Sequence, residues 1–469
     1  MKKTTRKRKL LNSTKHFLNP RKWTKKMRVH FVINITIGIL IAVFMYIIEE
    51  QPIGRVVFNF MVDLLIREEH DKEKNKFPDN MIFIDIDNQT NELWNSGDST
   101  VTSLLTNRDR LANLLFTIEE YNPKIIILDM DFTFRSNPQE MDDSIINFFN
   151  SFKQKVLSGK SKTKIILPTE FTLNNELKLS FIDRINQNNP NIYIGSPIIS
   201  TEAMDRAIRY ANDYQITRDQ DTIWNIPILA YCVYNGFHGK KLNSEIVEKE
   251  FGLKAENEMK NQKFSLNIFS SRIRYALQPP IYSMNSDSIL TGNMDKGNKS
   301  GIDIRYSPME FTGINSPNDI LNSFQKNKLL NNKIVIIGNS SRQKGDIYMT
   351  PIGEMAGFYI IGNSLNTMFI GQVNLLNKFW IILIELLTII LAAYLFLHIH
   401  SVAAEFILLL VLGVPLYFLT YYIFSSYGTL LNVVFIILGI AVHRFVSGFE
   451  DMLAEKGKKQ HKQNKLIQE

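Results

Sequence analysis

Cysteine is almost missing from this chain. Cys232 is the single one in 469 residues, so no intramolecular disulfide can form and the fold must be held by core burial alone. Histidine is sparse, and no Ser-His-Asp order or His-rich metal spacing stands out; His398 and His400 could chelate a metal as a pair, but in a short loop beside an apolar run they read as interfacial residues. Internal repeats and extended low-complexity segments are absent as well. Acidic residues are missing from residues 1–28, which carry twelve Lys or Arg and no Asp or Glu. The first apolar run ends in Met45-Tyr46-Ile47-Ile48-Glu49-Glu50, which offers no small-x-small cleavage site, so it reads as a retained anchor.

Long apolar runs are what the chain does have. One covers Val29 to Ile48, and three lie close together at Phe379 to Leu397, Phe406 to Phe424 and Leu430 to Val442. Each is near the ~20 residues needed to cross a bilayer core. The expected organisation is a basic cytoplasmic tail (1–28), transmembrane helix 1 (29–48), an extracytoplasmic domain (49–376), transmembrane helices 2, 3 and 4 (377–397, 404–424, 428–444) and a cytoplasmic tail (445–469). The basic N-terminus resists translocation, and four crossings return a basic C-terminus to the same side, so both ends are expected inside a cell membrane. Glu385, about two turns into the second run, faces a partner or a cavity, or else sits near enough to the interface to stay wet.

The net charge of +8 is a property of the tails. Residues 49–376 alone carry −5, which excludes a nucleic-acid-binding body. The N-terminal cluster, standing immediately before an apolar span, is read as a topology signal in contact with anionic lipid.

Within the body, residues 67–80 read as a solvated charged linker. Strand and helix signals then alternate. Met81 to Asp87 (MIFIDID) is a short buried-strand pattern, residues 108–121 place Leu111, Leu114, Leu115 and Ile118 at helical spacing, and Lys124 to Asp131 (KIIILDMD) is a second strand. Strand, helix and strand in about fifty residues is a βαβ unit with parallel strands. Asn137-Pro138-Gln139-Glu140 reads as the start of another helix. Further strands are expected at Lys164 to Leu167, Ile192 to Gly195, Phe264 to Leu277 and Asn332 to Gly338, and helices at Asp221 to Tyr234 and Gly357 to Ile370. The predicted class is an α/β domain with a mainly parallel sheet flanked by helices, plus four transmembrane α-helices, one N-terminal and three C-terminal.

Two strands taken as adjacent each end in Asp-x-Asp: Asp85/Asp87 and Asp129/Asp131. In an open parallel sheet, ligands bind beyond the carboxyl ends of the strands. One reading is an acidic pocket for a divalent cation or a cationic ligand. The other is that each aspartate caps the next helix or satisfies loop amides. Asp85-Ile-Asp87 after a strand is also similar to the phosphatases of the haloacid dehalogenase type, but Gln89 stands where that motif wants Thr or Val. The segment after Gly338 lacks the second glycine and the Ser/Thr of a P-loop. No cofactor, catalytic residue or metal ligand set is expected.

The chain resembles the CHASE2 sensory proteins, with one N-terminal span, an extracytoplasmic sensor and three closely spaced spans. The resemblance rests on Asp85 or Asp87, Trp94, Arg108 and Ala112, then Asp129 and Phe132, then Asp205 and Arg209. It continues in Lys333 to Gly338, Gly345-Asp346, Thr350-Pro351, Gly357 and Asn363. It departs from the family where a Trp-Pro-Trp-Pro-Arg segment is reduced to Trp94 and the distant Arg108, and where Ile361 replaces a frequent histidine. Family members commonly continue into a cytoplasmic cyclase or kinase, for which Arg444 to Glu469 is too short.

The resemblance implies a non-enzymatic, membrane-anchored sensor with the bilayer, an extracytoplasmic ligand and a separate cytoplasmic effector as partners. No nucleic acid enters, and homodimerisation is left open. The candidate ligand-binding residues are Asp85, Asp87, Trp94, Arg108, Asp129, Gly338, Asp346, Thr350 and Asn363. Two other classes stay open: an extracytoplasmic metal-dependent hydrolase using Asp85, Asp87 and Asp129, and a non-signalling envelope assembly protein.

Overall fold

The computed structural model describes residues 25–49, 51–72, 79–95, 106–135, 141–171, most of 176–236, 273–275, 305–312, 321–340 and 346–370. Towards the C-terminus it describes 374–375, 378–396, 402–427, 429–430, Ile437 and Val442. In chain order the helices are α1 (Lys25–Glu49), α2 (Pro52–Lys72), α3 (Asn88–Asn95), α4 (Arg108–Glu119), α5 (Met141–Leu157), α6 (Phe181–Ile185), α7 (Ile226–Tyr234), α8 (Pro308–Thr312), α9 (Ser323–Leu330), α10 (Gly357–Ile370), α11 (Lys378–Phe396) and α12 (Val402–Tyr427). The strands of the main sheet are β1 (Met81–Asp85), β2 (Ile125–Leu128), β3 (Lys164–Pro168), β4 (Ile192–Gly195), β5 (Arg305–Tyr306) and β6 (Ile334–Gly338). The chain divides into two compact units, one of Met1–Leu65 with Asn374–Glu469 and the other of Ile66–Val373.

The second unit is built on one six-stranded sheet in the order β5-β1-β6-β2-β3-β4, and every pairing in it is parallel. The central strands are short runs of Ile, Leu, Val and Phe with no polar alternation, as a sheet covered on both faces requires. Their side chains divide by parity. Ile82, Ile84, Ile126, Leu128, Ile165, Val335 and Ile337 join Leu111, Leu115, Ile145, Phe148 and Phe152 of α4 and α5 in one core. Phe83 and Ile336, of opposite parity, lie under Gly362 of α10. α10 packs in turn on α7. Helices therefore cover both faces, and the predicted mainly parallel α/β sheet is the observed one.

Several sequence expectations shift. β6, the last strand of this sheet in sequence, inserts between β1 and β2, so the two Asp-x-Asp strands are not neighbours. Residues 67–72 are not a linker: they form the last turns of α2, where Glu69 is buried in an ion pair with Arg274. The helix expected from Asp221 begins at Ile226, because Thr222–Trp224 is extended and Pro227 can stand only in a first turn. The Asn137 to Glu140 helix start lies outside the described residues, although the helix follows at Met141. Most of Phe264 to Leu277 lies outside them too, and the described part, Ile273 to Tyr275, is buried without strand pairing.

Gly362 shows how tightly α10 sits. A Cβ there would lie 2.2 Å from Cζ of the fully buried Phe83. Helix propensity favours alanine by about 1 kcal/mol, yet overpacking a closed core costs about 1–3 kcal/mol. Gly362→Ala is therefore expected to lower the thermal midpoint of the full chain, and adding Phe83→Leu to restore part of the loss. A Gly362→Ala variant at least as stable as the parent would show that the α10 contact is loose.

In the first unit, α1 packs on α11. Among the described residues one helix is long and apolar enough to cross a membrane, with mean hydropathy 2.6 over Phe31–Ile48. Its large side chains, Val32, Leu40 and Phe44 among them, are exposed as lipid-facing residues would be. A shorter apolar stretch, Phe379–Leu391, lies in α11. Helices α11 and α12 fall on the second and third expected spans, with Pro415 inside α12 and Glu385 in α11. The expected fourth span lies largely outside the described residues, and where it was expected to begin, Thr429–Leu430 pairs as a short strand with Asn374–Leu375.

Candidate functional site

β2 leads into α5 on one face of the sheet, whereas β6 leads through a hairpin (Ile347–Thr350 with Gly353–Ala356) into α10 on the other. Adjacent strands whose connections diverge to opposite faces leave a crevice beyond their carboxyl ends. A cavity of about 580 Å³ occupies that place. Its walls come from the start of α4 (Arg108, Leu111), the end of β2 (Asp129 to Thr133), the end of β3 (Pro168 to Glu170) and the segment after β6 (Asn339, Asp346, Tyr348), with Gly357 and Ile361 of α10.

Asp129 and Asp346 meet here from different segments. The Asp129 amide donates to Ile337 O at 2.8 Å, which fixes it just past the strand. The Asp346 carbonyl accepts from the Gly357 amide at 3.0 Å, and its carboxyl lies where a Cβ on Gly357 would be, 2.5 Å from Oδ2. Gly357 is thus needed to let that carboxyl approach the helix start. Burial, and then repulsion from Asp346, push the Asp129 carboxyl up to about 8. Burial also pushes Asp346 up, to about 6, against hydrogen bonds from Tyr348 and the Gly357 amide that favour its ionised form. Near neutral pH the two carboxyls therefore share a proton. Burial and the two carboxylates push the Tyr348 phenol up, so it remains a donor.

The cations of the lining are committed elsewhere. Arg108, almost fully buried, pairs with Asp142, donates to the Phe134 carbonyl, and lies over the rings of Phe132 and Phe181 at 5.7 and 5.0 Å. Lys178 pairs with Glu170 at 2.7 Å. Asp131 accepts the Thr133 amide at 2.6 Å, a loop-amide role.

Of the nine candidate residues, the cavity gathers Arg108, Asp129 and Asp346. The other six hold the frame. Asp85 is buried and accepts from Tyr359 Oη at 2.7 Å and the Ser340 amide at 3.2 Å, which ties β1 to the β6 loop and to α10. Asp87 accepts the Thr90 amide at 2.8 Å and its carbonyl accepts from Asn91, which makes it the cap of α3. Trp94 belongs to the core, with its carbonyl accepting from Asn107 at 3.1 Å. A Cβ on Gly338 would lie 2.2 Å from Cγ of Phe358, so that glycine is set by packing. Thr350 Oγ1 donates to Gly353 O at 2.6 Å and closes the hairpin turn. Asn363, fully buried in α10, donates to Tyr359 O at 2.9 Å.

Asp205, from the looser part of the motif, lies outside the described residues. Asp142, Tyr348 and Thr169 escaped sequence reading. The acidic first turn of α5 was the one signal for Asp142, and Tyr348 and Thr169 had none. Among the described residues no three His, Cys, Asp or Glu side chains are grouped as metal ligands.

The CHASE2 domain family matches residues 36–398, most of the chain. No curated protein and no solved structure is significantly similar to it.

Proposed function

The chain belongs to the CHASE2 family of sensory extracellular domains, and we propose from that premise that it is a membrane-embedded sensor whose input site is the cavity at the ends of β2 and β6. It is a membrane-anchored protein with an extracytoplasmic domain: the family match begins within an apolar N-terminal helix and continues through the body of the chain. Our reading adds three further spans, α11, α12 and the run to Val442, with both ends in the cytosol. The basic residues 1–28 and the −5 charge of residues 49–376 support that orientation.

The observation that carries the reading is the Asp129–Asp346 pair, two segments of different origin facing one cavity at the divergence of two connections. Gly357 lines the cavity and begins α10, which ends at Ile370, and α11 begins soon after in the chain, at Lys378. A ligand that binds one arrangement of the Asp346–Gly357 wall more tightly than another shifts their populations by that difference alone. The shift passes by chain connection into the spans and on to a separate cytoplasmic effector. The reading is non-catalytic, because Asp85 and Asp87, which a hydrolase would need beside Asp129, are committed to Tyr359, Ser340 and Thr90.

The test is a chromosomal Asp129→Asn/Asp346→Asn double variant compared with wild type and with a full deletion, by transcript profile and by membrane abundance of the protein. Retained abundance with a transcript profile displaced from wild type is the expected result. A profile identical to wild type, while the deletion differs, removes the cavity as the input site.

A further inference from the structure

The charge balance of the cavity identifies a ligand class. Arg108 is balanced by the buried Asp142 and Lys178 by Glu170 beside it in the lining, which leaves a surplus of negative charge on Asp131, itself turned to a loop amide, and on Asp129 and Asp346. What faces the space is the Asp129–Asp346 pair, with Tyr348 as the neighbouring donor. An anion would meet unrelieved repulsion there. A neutral ligand would leave the two carboxyls to solve their own repulsion with a proton.

Thr169 supplies an independent observation. It is 3% exposed, it lines the cavity, and its Oγ1 has no hydrogen-bond partner among the described residues. Left so, the hydroxyl costs about 1–3 kcal/mol; its oxygen is closed off from the cavity as it stands, and a turn about χ1 is what would bring it to a polar group on an occupant. Leu111, Met130, Phe132 and Ile361 give the remaining wall an apolar character. The volume of about 580 Å³ falls within the range of small-molecule pockets, roughly 300–1,000 Å³.

We propose that this cavity binds a small organic ammonium, its charged end between the carboxyls of Asp129 and Asp346, a hydroxyl on Thr169 and its apolar body against Leu111, Phe132 and Ile361. The proposal rests on the cavity being the input site and adds the chemistry of what enters it. A cation needs both carboxylates ionised, so binding expels the proton they share: affinity rises with pH between about 6 and 8. Glu170, Lys178, Arg108 and Asp131 are the other charged groups of the lining, each held in a local pair or turn.

The experiment is calorimetric titration of the full chain in phospholipid nanodiscs with three probes of one shape: tyramine (an ammonium), tyrosol (neutral) and 4-hydroxyphenylacetate (an anion). Tyramine is expected to bind at pH 8, tyrosol about 10-fold or more weaker, since a charge-assisted hydrogen bond is lost, and the anion weaker still. Asp129→Asn and Asp346→Asn, near-isosteric with the protonated side chains, are each expected to weaken tyramine about 10-fold or more, and Thr169→Val by about 2–10-fold. Tyramine binding in two buffers of different ionisation enthalpy should show proton release. Thermal unfolding of each variant confirms that it is folded. No tyramine binding, equal or tighter binding of tyrosol or the anion, or an unchanged affinity in folded Asp129→Asn overturns the ammonium assignment. The transcript result for the double variant stands or falls separately, so a wrong ligand class and a wrong input site give different outcomes.

Discussion

Arg108→Met is expected to destabilise the extracytoplasmic domain more than any change at the cavity mouth. The guanidinium is buried, and its partner Asp142 has no exposed surface at all. Removing the arginine takes the guanidinium partner from a buried carboxylate in the core between α4 and α5, and breaking such a pair from one side costs about 3–5 kcal/mol. The Phe134 carbonyl also loses its donor, and the rings of Phe132 and Phe181 lose the cation between them. In a domain of this size the thermal midpoint should fall by about 5–10 °C. Arg108→Lys is not expected to rescue it, since a point charge cannot serve Asp142 and Phe134 with one planar fork.

The double variant Arg108→Met/Asp142→Leu is the control. Removing both charges leaves an apolar contact, and much of the loss should return. Additive losses in the double variant would mean that the pair is not coupled and that Arg108 acts through the aromatic rings alone. Differential scanning calorimetry of the full chain decides between these.

The same residue shows what could be read in the sequence and what could not. Its motif makes Arg108 a candidate ligand residue, and it does reach the cavity wall, but its charge is spent inward on Asp142, 34 positions away. Local patterns carried well. The runs MIFID, IIIL and IVIIG became fully buried strands because β-branched and apolar residues without polar alternation suit a two-sided sheet. The helix from Gly357 to Ile370 was legible end to end.

Non-local facts did not carry. Nothing in one sequence says that β6 inserts between β1 and β2, and that insertion separates the two Asp-x-Asp motifs and leaves only the second at the cavity. The charge run after Arg67 looked solvated because Arg274, 205 positions on, is what makes Glu69 a buried partner. Tyr348 and Thr169 belong to segments without motifs. They join the site because the hairpin after β6 and the end of β3 converge on the same crevice.

Asp129→Asn is expected to stabilise the domain, and to do so increasingly as pH rises. In the unfolded chain this carboxyl ionises near 3.8, whereas in the fold burial and the Asp346 charge hold it up to about 8. Between those values the folded protein keeps a proton that the unfolded chain has lost, so stability falls with rising pH. The contribution of the neutral form is complete below about pH 4 and is lost as pH passes through about 8. Asparagine copies the neutral carboxyl in shape and has nothing to lose. Solvent at the cavity mouth screens part of the penalty, so the gain should be near zero at pH 4 and reach about 1–3 kcal/mol above pH 8.

Asp346→Asn should raise stability over a lower window, closing near pH 6. It should also let Asp129 ionise more readily, because the repulsion that raises Asp129 is gone. The gains of the two single variants therefore cannot add, and the double variant should exceed the better single one only slightly. Thermal unfolding of the four proteins from pH 4 to pH 9 measures all of this. Parallel wild-type and Asp129→Asn curves would show that the carboxyl is ionised throughout, and that the two acids do not share a proton. A stabilising substitution that also abolishes ammonium binding is the pattern expected of a site where the fold tolerates repulsion for the sake of a ligand.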